Sequence, residues 1–227
     1  MTLTVQTAPL KLQIAAEIKR RIIHAQLAFG QKISENSLAA ELGTKRMPVR
    51  EAFLILESDN WLTIVPQKGT YVMTFTAGEI RQLGEYRSVL ESASLAAIHE
   101  SRERGAFVAE LSAILEEHEN ALRRNDIHAC ERCDTLFHER IIAFSRNAYL
   151  VASYSIIADK AKAIRYRTLQ SLERFSGVLR DHHEILSALA AGEMEFCSRT
   201  LKRHIDNTLN IVLLNPVLYA KICLPGA

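Results

Sequence analysis

Apolar residues recur at helical spacing through most of the chain. Leu10, Ile14, Ile18, Ile22 and Leu27 predict an amphipathic helix over 10–28, closed by Gly30. Ser34 is a candidate N-cap for a short helix through Leu42 that carries Leu38, Ala39 and Leu42. Gly43 then marks the tight turn expected between two crossing helices. A third helix is predicted from about Arg46 to Ser58, where Pro48 is tolerated because first-turn N–H groups have no intrahelical partner. The runs WLTIV (61–65) and GTYVMTF (69–75) read as strands, and Pro66-Gln67-Lys68 between them reads as a hairpin tip.

Beyond residue 76 the pattern changes. No proline occurs between Pro66 and Pro216, and the apolar period of 3.6 predicts helices at 77–101, 105–123, 126–145, 148–171, 174–191 and 193–214. Gly105, Asn125, Asn147, Gly177 and Gly192 fall near the breaks. Such stripes are buried by packing as an antiparallel helical bundle. The predicted fold class is therefore mainly all-α, an N-terminal winged helix-turn-helix followed by an all-helical bundle. The expected organisation is a flexible N-terminus (1–9), the winged helix (10–75), the bundle (76–214) and a loosely held tail (215–227) containing Pro216 and Pro225.

The chain has 227 residues, 48% of them hydrophobic, which suffices for one large or two modest cores. No apolar run approaches the roughly 18 residues of a membrane span, and the start, MTLTVQTAPLK, lacks the regions of a signal peptide. Four cysteines in a chain this long do not suggest a disulfide scaffold, so a reducing, cytoplasmic location is expected. Net charge is only +2, unevenly distributed. Residues 1–76 hold nine Lys/Arg against six acids, whereas the remainder holds 19 against 20 and seven of the eight histidines. The two parts are expected to do different jobs.

The stretch KRMPVREAF (45–53) breaks a local rule. Lys45 and Arg46 stand at a helix start, at the positive end of the dipole, where each cation costs on the order of 0.3–1 kcal/mol. An anion from outside relieves that surplus. With Lys45, Arg46 and Arg50 near the start of the second helix of the turn and Gln67 and Lys68 at the wing tip, the layout suits a helix in a DNA major groove with a wing on the backbone. The bland alternative is a solvated basic helix start.

Polar groups interrupt three bundle stripes. Asp134 and His138, four apart, share a face with Ile127, Cys130, Phe137 and Ile141. His182 sits among Phe175, Val178, Leu179, Ile185, Leu186 and Leu189, with His183 on the flank. His204 lies among Cys197, Leu201, Thr208 and Val212. If they converge, one Asp and three His make a site for a divalent transition metal, Zn²⁺ first, with Ni²⁺, Mn²⁺ or Fe²⁺ as alternatives. Otherwise each His is an isolated core residue bonded to backbone. Arg87 falls in the stripe of Ile80, Leu83, Leu90, Ser94 and Ala97, and a buried guanidinium wants an anion. That anion is either Glu91, in an internal salt bridge, or a bound ligand. Cys130 and Cys133 read as structural, and Arg165, Tyr166 and Arg167 either line a cavity or face solvent.

The segment ENSLAAELGTKRMPVREAFLILESDNWLTIVPQKGTYV resembles the DNA-binding domain of the GntR family of bacterial transcription regulators. The resemblance rests on Ile33, Glu35, Leu38, Ala39, Leu42, Gly43, Arg46, Pro48, Val49, Arg50, Glu51 and Ala52, with Lys68, Gly69 and Val72 in the wing. Lys45 and Met47 stand where that family usually has small hydroxyl residues, and Asn36 where some relatives have a DNA-contacting Arg. Residues 80–210 are similar to the FCD ligand-binding domain of FadR-like GntR regulators, through Arg87, Leu90 and Glu91, Asp134 and His138, Asn147, His182 and Ile185, and His204 and Ile205. The resemblance implies metal binding by Asp134, His138, His182 and His204, with His182 rather than His183 at the family spacing from His204. It further implies a small carboxylate metabolite bound near Arg87, Glu91 and the metal.

The expected function is sequence-specific binding of a palindromic DNA operator by a homodimer, most commonly a repressor, under control of that effector. No enzyme activity is expected, because no general base accompanies the four ligands on the stripes; a metalloenzyme and a purely architectural DNA-binding protein are the rival classes. No membrane partner is expected.

Overall fold

The computed structural model describes residues 8–223, which form two compact units. Of the expected flexible segment 1–9, all but residues 8 and 9 lie outside the described residues, and the Pro9 carbonyl accepts from Leu12 N–H at the start of the first helix.

Among the described residues, unit 1 comprises 8–76 together with 220–223. Its elements are α1 (Leu10–Ile23), β1 (Lys32–Ile33), α2 (Glu35–Glu41), α3 (Arg46–Ser58), β2 (Leu62–Val65) and β3 (Gly69–Val72). Helix α1 stops five residues short of the expected end, because Ala25 turns left-handed (φ 57°) and Gln26 and Leu27 N–H fold back onto the Arg21 carbonyl. Leu27 still reaches the core, by a turn rather than by a continuing helix. Ser34 caps α2 through Ser37 N–H at 3.5 Å, whereas Lys45 gives α3 no side-chain cap. The buried faces of α1 (Ile14, Ile18, Ile22) and α3 (Val49, Ala52, Phe53, Leu56) pack together.

The hairpin is part of a three-stranded antiparallel sheet ordered β1-β3-β2, with Val65 opposite Gly69 at the tip and Ile33 opposite Thr70. The two-residue strand β1 was too short to show alternation in the sequence. Gly69 has φ +124°, a backbone conformation that L side chains rarely adopt, so the hairpin tip requires glycine.

Unit 2, residues 77–219, holds α4 (Ala77–His99), α5 (Arg104–Arg123), α6 (Ile127–Phe144), α7 (Ala148–Thr168), α8 (Leu172–Ala191) and α9 (Met194–Leu214). Side-chain caps set three starts: Asp126 for α6, Asn147 for α7, and Ser171 for α8, two residues earlier than predicted. Helix α5 packs on α6 and α8, and α9 packs on α8 and α4. Phe107, Leu111, Phe137, Ile141, Ile185, Leu189 and Leu201 fill the main core. Gly84 lets α4 approach α9 closely, since a Cβ would fall 2.1 Å from Leu209 Cδ1.

Of the expected loose tail (215–227), Pro216–Ile222 form a helix, α10, started by Pro216 behind the Asn215 side chain, which accepts from Val217 and Leu218 N–H, and residues 224–227 lie outside the described residues. Within unit 1, Phe75 N–H donates to the Ile222 carbonyl at 3.2 Å, and Ile222 and Cys223 are buried.

Candidate nucleic-acid interface and metal centre

Helix α3 presents Lys45, Arg46, Met47 and Arg50 to solvent, and Asn36, Gln67 and Lys68 are exposed as well. Among the described residues Lys45, Arg50 and Lys68 have no ion-pair partner. Arg46 differs: its Nε donates to Glu35 Oε2 at 2.6 Å, with the Arg46 side chain still 62% exposed. An anion for part of the surplus charge thus comes from α2. Exposed pairs of this kind are worth only about 0.2–1 kcal/mol, so a phosphate can displace Glu35.

In unit 2, α6 brings Asp134 and His138 one turn apart, α8 brings His182 and α9 brings His204; none is more than 1% exposed. One ligand atom from each lies within 4.8 Å of all the others. Asp134 Oδ1 is 3.8 Å from His138 Nε2 and 3.7 Å from His182 Nε2, while His138 and His204 Nε2 are 3.3 Å apart. Ligands bound to one Zn²⁺ at about 2.0–2.2 Å in a tetrahedron are roughly 3.4 Å from each other, so the cluster has the dimensions of a first coordination sphere.

The remote nitrogens support the same geometry. His138 Nδ1 donates to Glu91 Oε2 at 2.7 Å and His204 Nδ1 to Asp181 Oδ2 at 3.2 Å. Each carboxylate fixes the tautomer that leaves an Nε2 lone pair pointing into the cluster. His182 is held by stacking on Phe137, ring centroids 3.9 Å apart at 11°. Burial, then Arg87, pushes the His138 pKa well below its ordinary value; burial, then His204 and His138, does so for His182. Both rings are therefore neutral at pH 7, as metal ligands must be. Burial alone would raise the Asp134 pKa, but the Arg165 guanidinium, His138 and His204 bring it below the ordinary value. Arg165 Nε stands 2.8 Å from Asp134 Oδ2, yet off the N–H direction, an ion pair without an aligned hydrogen bond.

Arg87 is buried with its Nε on Glu91 Oε1 at 2.6 Å. Both Glu91 oxygens are thus occupied, by Arg87 and by His138, and its negative charge disfavours a carboxylate ligand. Glu91, expected beside Arg87 at the effector, thus also supports the cluster through His138. Arg87 Nη2 and Arg165 Nη1 are buried without hydrogen-bond partners. The two arginines line one cavity of about 10 Å³ with Leu83, Gly84, Ala161 and Thr208. His183 is exposed and pairs with Glu119 at 3.0 Å, outside the cluster. Cys130, Cys133 and Cys197 are free thiols, and all four cysteines are buried.

Sequence reading missed Asp181 and His118, and left Arg165 undecided. Asp181 directly precedes His182, where the stripe masked it. His118 occupies an inward slot of α5 in line with Leu111, Leu115 and Ala121, which was a legible signal.

Residues 10–72 match the family described as bacterial regulatory proteins, gntR family, and residues 82–207 match the FCD domain. The chain is 26% identical over 201 residues to the gluconate operon transcriptional repressor of Bacillus licheniformis, covering 86% of this chain and 82% of that protein. It is 25% identical over 205 residues to the HTH-type transcriptional repressor RspR of Escherichia coli K12, covering 88% and 87%. The structure of E. coli McbR/YncC has the same fold, with a TM-score of 0.71 at 23% identity over 92% of this chain and 99% of that one. Among the described residues no helix is long and apolar enough to cross a membrane. A basic winged helix and a helical unit with a buried Asp-His₃ cluster, each matched over nearly its full length, place this chain among the GntR-family transcription regulators that carry a C-terminal FCD domain, which are DNA-binding regulators and not enzymes.

Proposed function

We propose that this regulator is a metal-loaded, dimeric repressor whose grip on a palindromic operator is controlled by a small carboxylate bound in unit 2. The observation that carries the reading is the enclosure of Asp134, His138, His182 and His204, with ligand atoms within 4.8 Å and two imidazoles oriented by Glu91 and Asp181. Four ligands of this softness suit Zn²⁺, with Ni²⁺, Mn²⁺ or Fe²⁺ as alternatives. When bound, such a cation supplies a Lewis-acid contact for a carboxylate oxygen. The names of the two repressors described above support the sign of regulation.

On the DNA side, Lys45, Arg46, Met47, Arg50 and Asn36 face the major groove, and Gln67, Lys68 and Gly69 meet the backbone from the wing. Two copies place two recognition helices on successive groove faces about one helical turn apart. Exposed Val89 on α4 and Ile156 on α7, two helices that pack side by side, offer an apolar face for the second copy.

On the effector side, Arg87 Nη2 and Arg165 Nη1 supply unpaired buried donors. Their cavity, about 10 Å³, holds roughly one water, so an organic acid that reaches both arginines must part α4, α7 and α9. Binding of the acid and displacement of these helices are therefore one event, and its free energy is reciprocal with that of DNA binding. The test is metal analysis of the purified chain joined to a thermal-shift screen of small carboxylic acids, with and without chelator. Stabilisation by an acid that vanishes on chelation, and release of bound duplex by the same acid, is the expected result. Stabilisation indifferent to metal, or none by any acid, leaves a bundle whose metal is only structural.

A further inference from the structure

Two of the three clustered imidazoles have a carboxylate on Nδ1, and the third does not. Among the described residues neither nitrogen of His182 has a hydrogen-bond partner, although its Nε2 faces Asp134 Oδ1. Across from it on α5 stands His118, fully buried and likewise without a partner on either nitrogen. The two rings meet edge to face, with centroids 6.4 Å apart at 64°. Phe175 stands edge-on to the His118 ring, centroids 5.8 Å apart. A packed α5 stripe needs an apolar group at this slot, and an imidazole there forgoes that gain.

Resting on the metal reading above, we propose that His118 is the positioning residue of His182, accepting its Nδ1–H through one enclosed water as Glu91 and Asp181 do directly for His138 and His204. A water bonded at about 2.8 Å to each of two nitrogens joins nitrogens up to roughly 5.6 Å apart. A neutral imidazole carries one acceptor nitrogen beside its N–H, and both His118 nitrogens are buried without a partner among the described residues. The cluster then has an outer partner on every histidine, and the α5 helix, which contributes no ligand, still tunes the affinity.

The test uses the full chain with His118→Phe and His118→Gln. Zinc affinity is read by competition with a chromophoric chelator, and site geometry by the visible absorption of the cobalt-loaded protein. The phenylalanine variant should keep the thermal midpoint of the chelator-treated wild type while losing about 10- to 100-fold in zinc affinity, with a shifted cobalt spectrum. The glutamine variant, whose amide oxygen accepts a hydrogen bond, should recover part of both. Wild-type affinity and spectrum in both variants would overturn the inference and leave His118 as packing. So would complete loss of metal in both, which makes His118 a direct ligand. Should the phenylalanine variant fail to fold, the glutamine variant alone decides, by a weakened site or an unchanged one. If the wild-type chain takes up no metal, the metal reading itself falls, and this inference with it.

Discussion

Glu91 Oε2 accepts a hydrogen bond from His138 Nδ1 at 2.7 Å, with both side chains sealed from solvent. The same carboxylate holds Arg87 through its other oxygen, so one residue of α4 ties a guanidinium to an imidazole of α6. Removing it leaves Arg87 as an uncompensated buried charge. Glu91→Ala should therefore destabilise unit 2 by about 3–5 kcal/mol in denaturant unfolding. The milder Glu91→Gln keeps the shape and loses the charge, and should weaken metal binding about 10- to 100-fold in chelator competition. Unaltered metal affinity in the glutamine variant would show that the carboxylate does not tune His138.

Arg46 and Glu35 make the converse case at the surface. For Arg46 to reach a phosphate or a guanine edge it must leave Glu35, which then stays near the DNA as an unfavourable charge. Arg46→Ala should lower operator affinity by on the order of 1–3 kcal/mol. Glu35→Gln should raise affinity for any duplex, by about 0.2–1 kcal/mol, because it frees Arg46 and removes an acid. Fluorescence anisotropy across a salt titration measures both. A Glu35→Gln variant that binds more weakly would mean that the ion pair sets the Arg46 geometry on DNA.

His182 and His183 are neighbours in sequence and opposites in environment. His182 is fully buried against Phe137, whereas the His183 side chain is 47% exposed and bonded to Glu119. His182→Ala should strip metal from the purified protein, and His183→Ala should leave the metal content unchanged, as read by elemental analysis. The opposite pattern would reassign the ligand on α8.

That pair also shows what was legible in the chain before its structure. A stripe with a 3.6 period reveals which face of a helix turns inward, so the four cluster residues could be named from spacing alone. What a stripe does not reveal is which helix stands opposite. Glu91 looked like the salt-bridge partner of Arg87 and proved to hold His138 as well, 47 residues away. Asp181 was hidden for the same reason, its role being set by α9 across the groove from its own helix. Local rules also failed where chain direction changes without Gly or Pro, as at Ala25, whose left-handed turn ends α1 early. The pairing of β1 with β3 depends on tertiary context that two residues cannot signal.

Cys130 and Cys133 occupy adjacent turns of α6, the spacing of a redox motif, yet burial raises both thiol pKa values, that of Cys130 to about 11. Burial likewise raises Cys197 to about 11. Thiolate is the reactive form, so all three should be inert at pH 7–8 in the native protein. A thiol reagent such as DTNB should report four thiols in denaturant and no rapid reaction from these three without it. Fast native labelling of Cys130 or Cys133 would point to a site that opens to solvent.

Ile222 lies far along the chain from the rest of the unit it completes. Residues 220–223 belong with 8–76, and Ile222 is fully buried there while its carbonyl accepts from Phe75 N–H. Phe75 in turn meets Phe29 edge-on, centroids 5.4 Å apart, so the segment closes the same core that α1 and the sheet build. Deleting buried methyl groups at such a position costs the transfer energy and a cavity together. Ile222→Ala should lower the stability of unit 1 by about 2–5 kcal/mol in a denaturant titration followed by Trp61 fluorescence. A chain ended after Tyr219 should show at least the same loss at Trp61 while its metal content is unchanged, since none of the four ligands is removed. If Trp61 unfolds at the same denaturant concentration in the shortened chain, the winged helix is complete without its carboxyl-terminal segment.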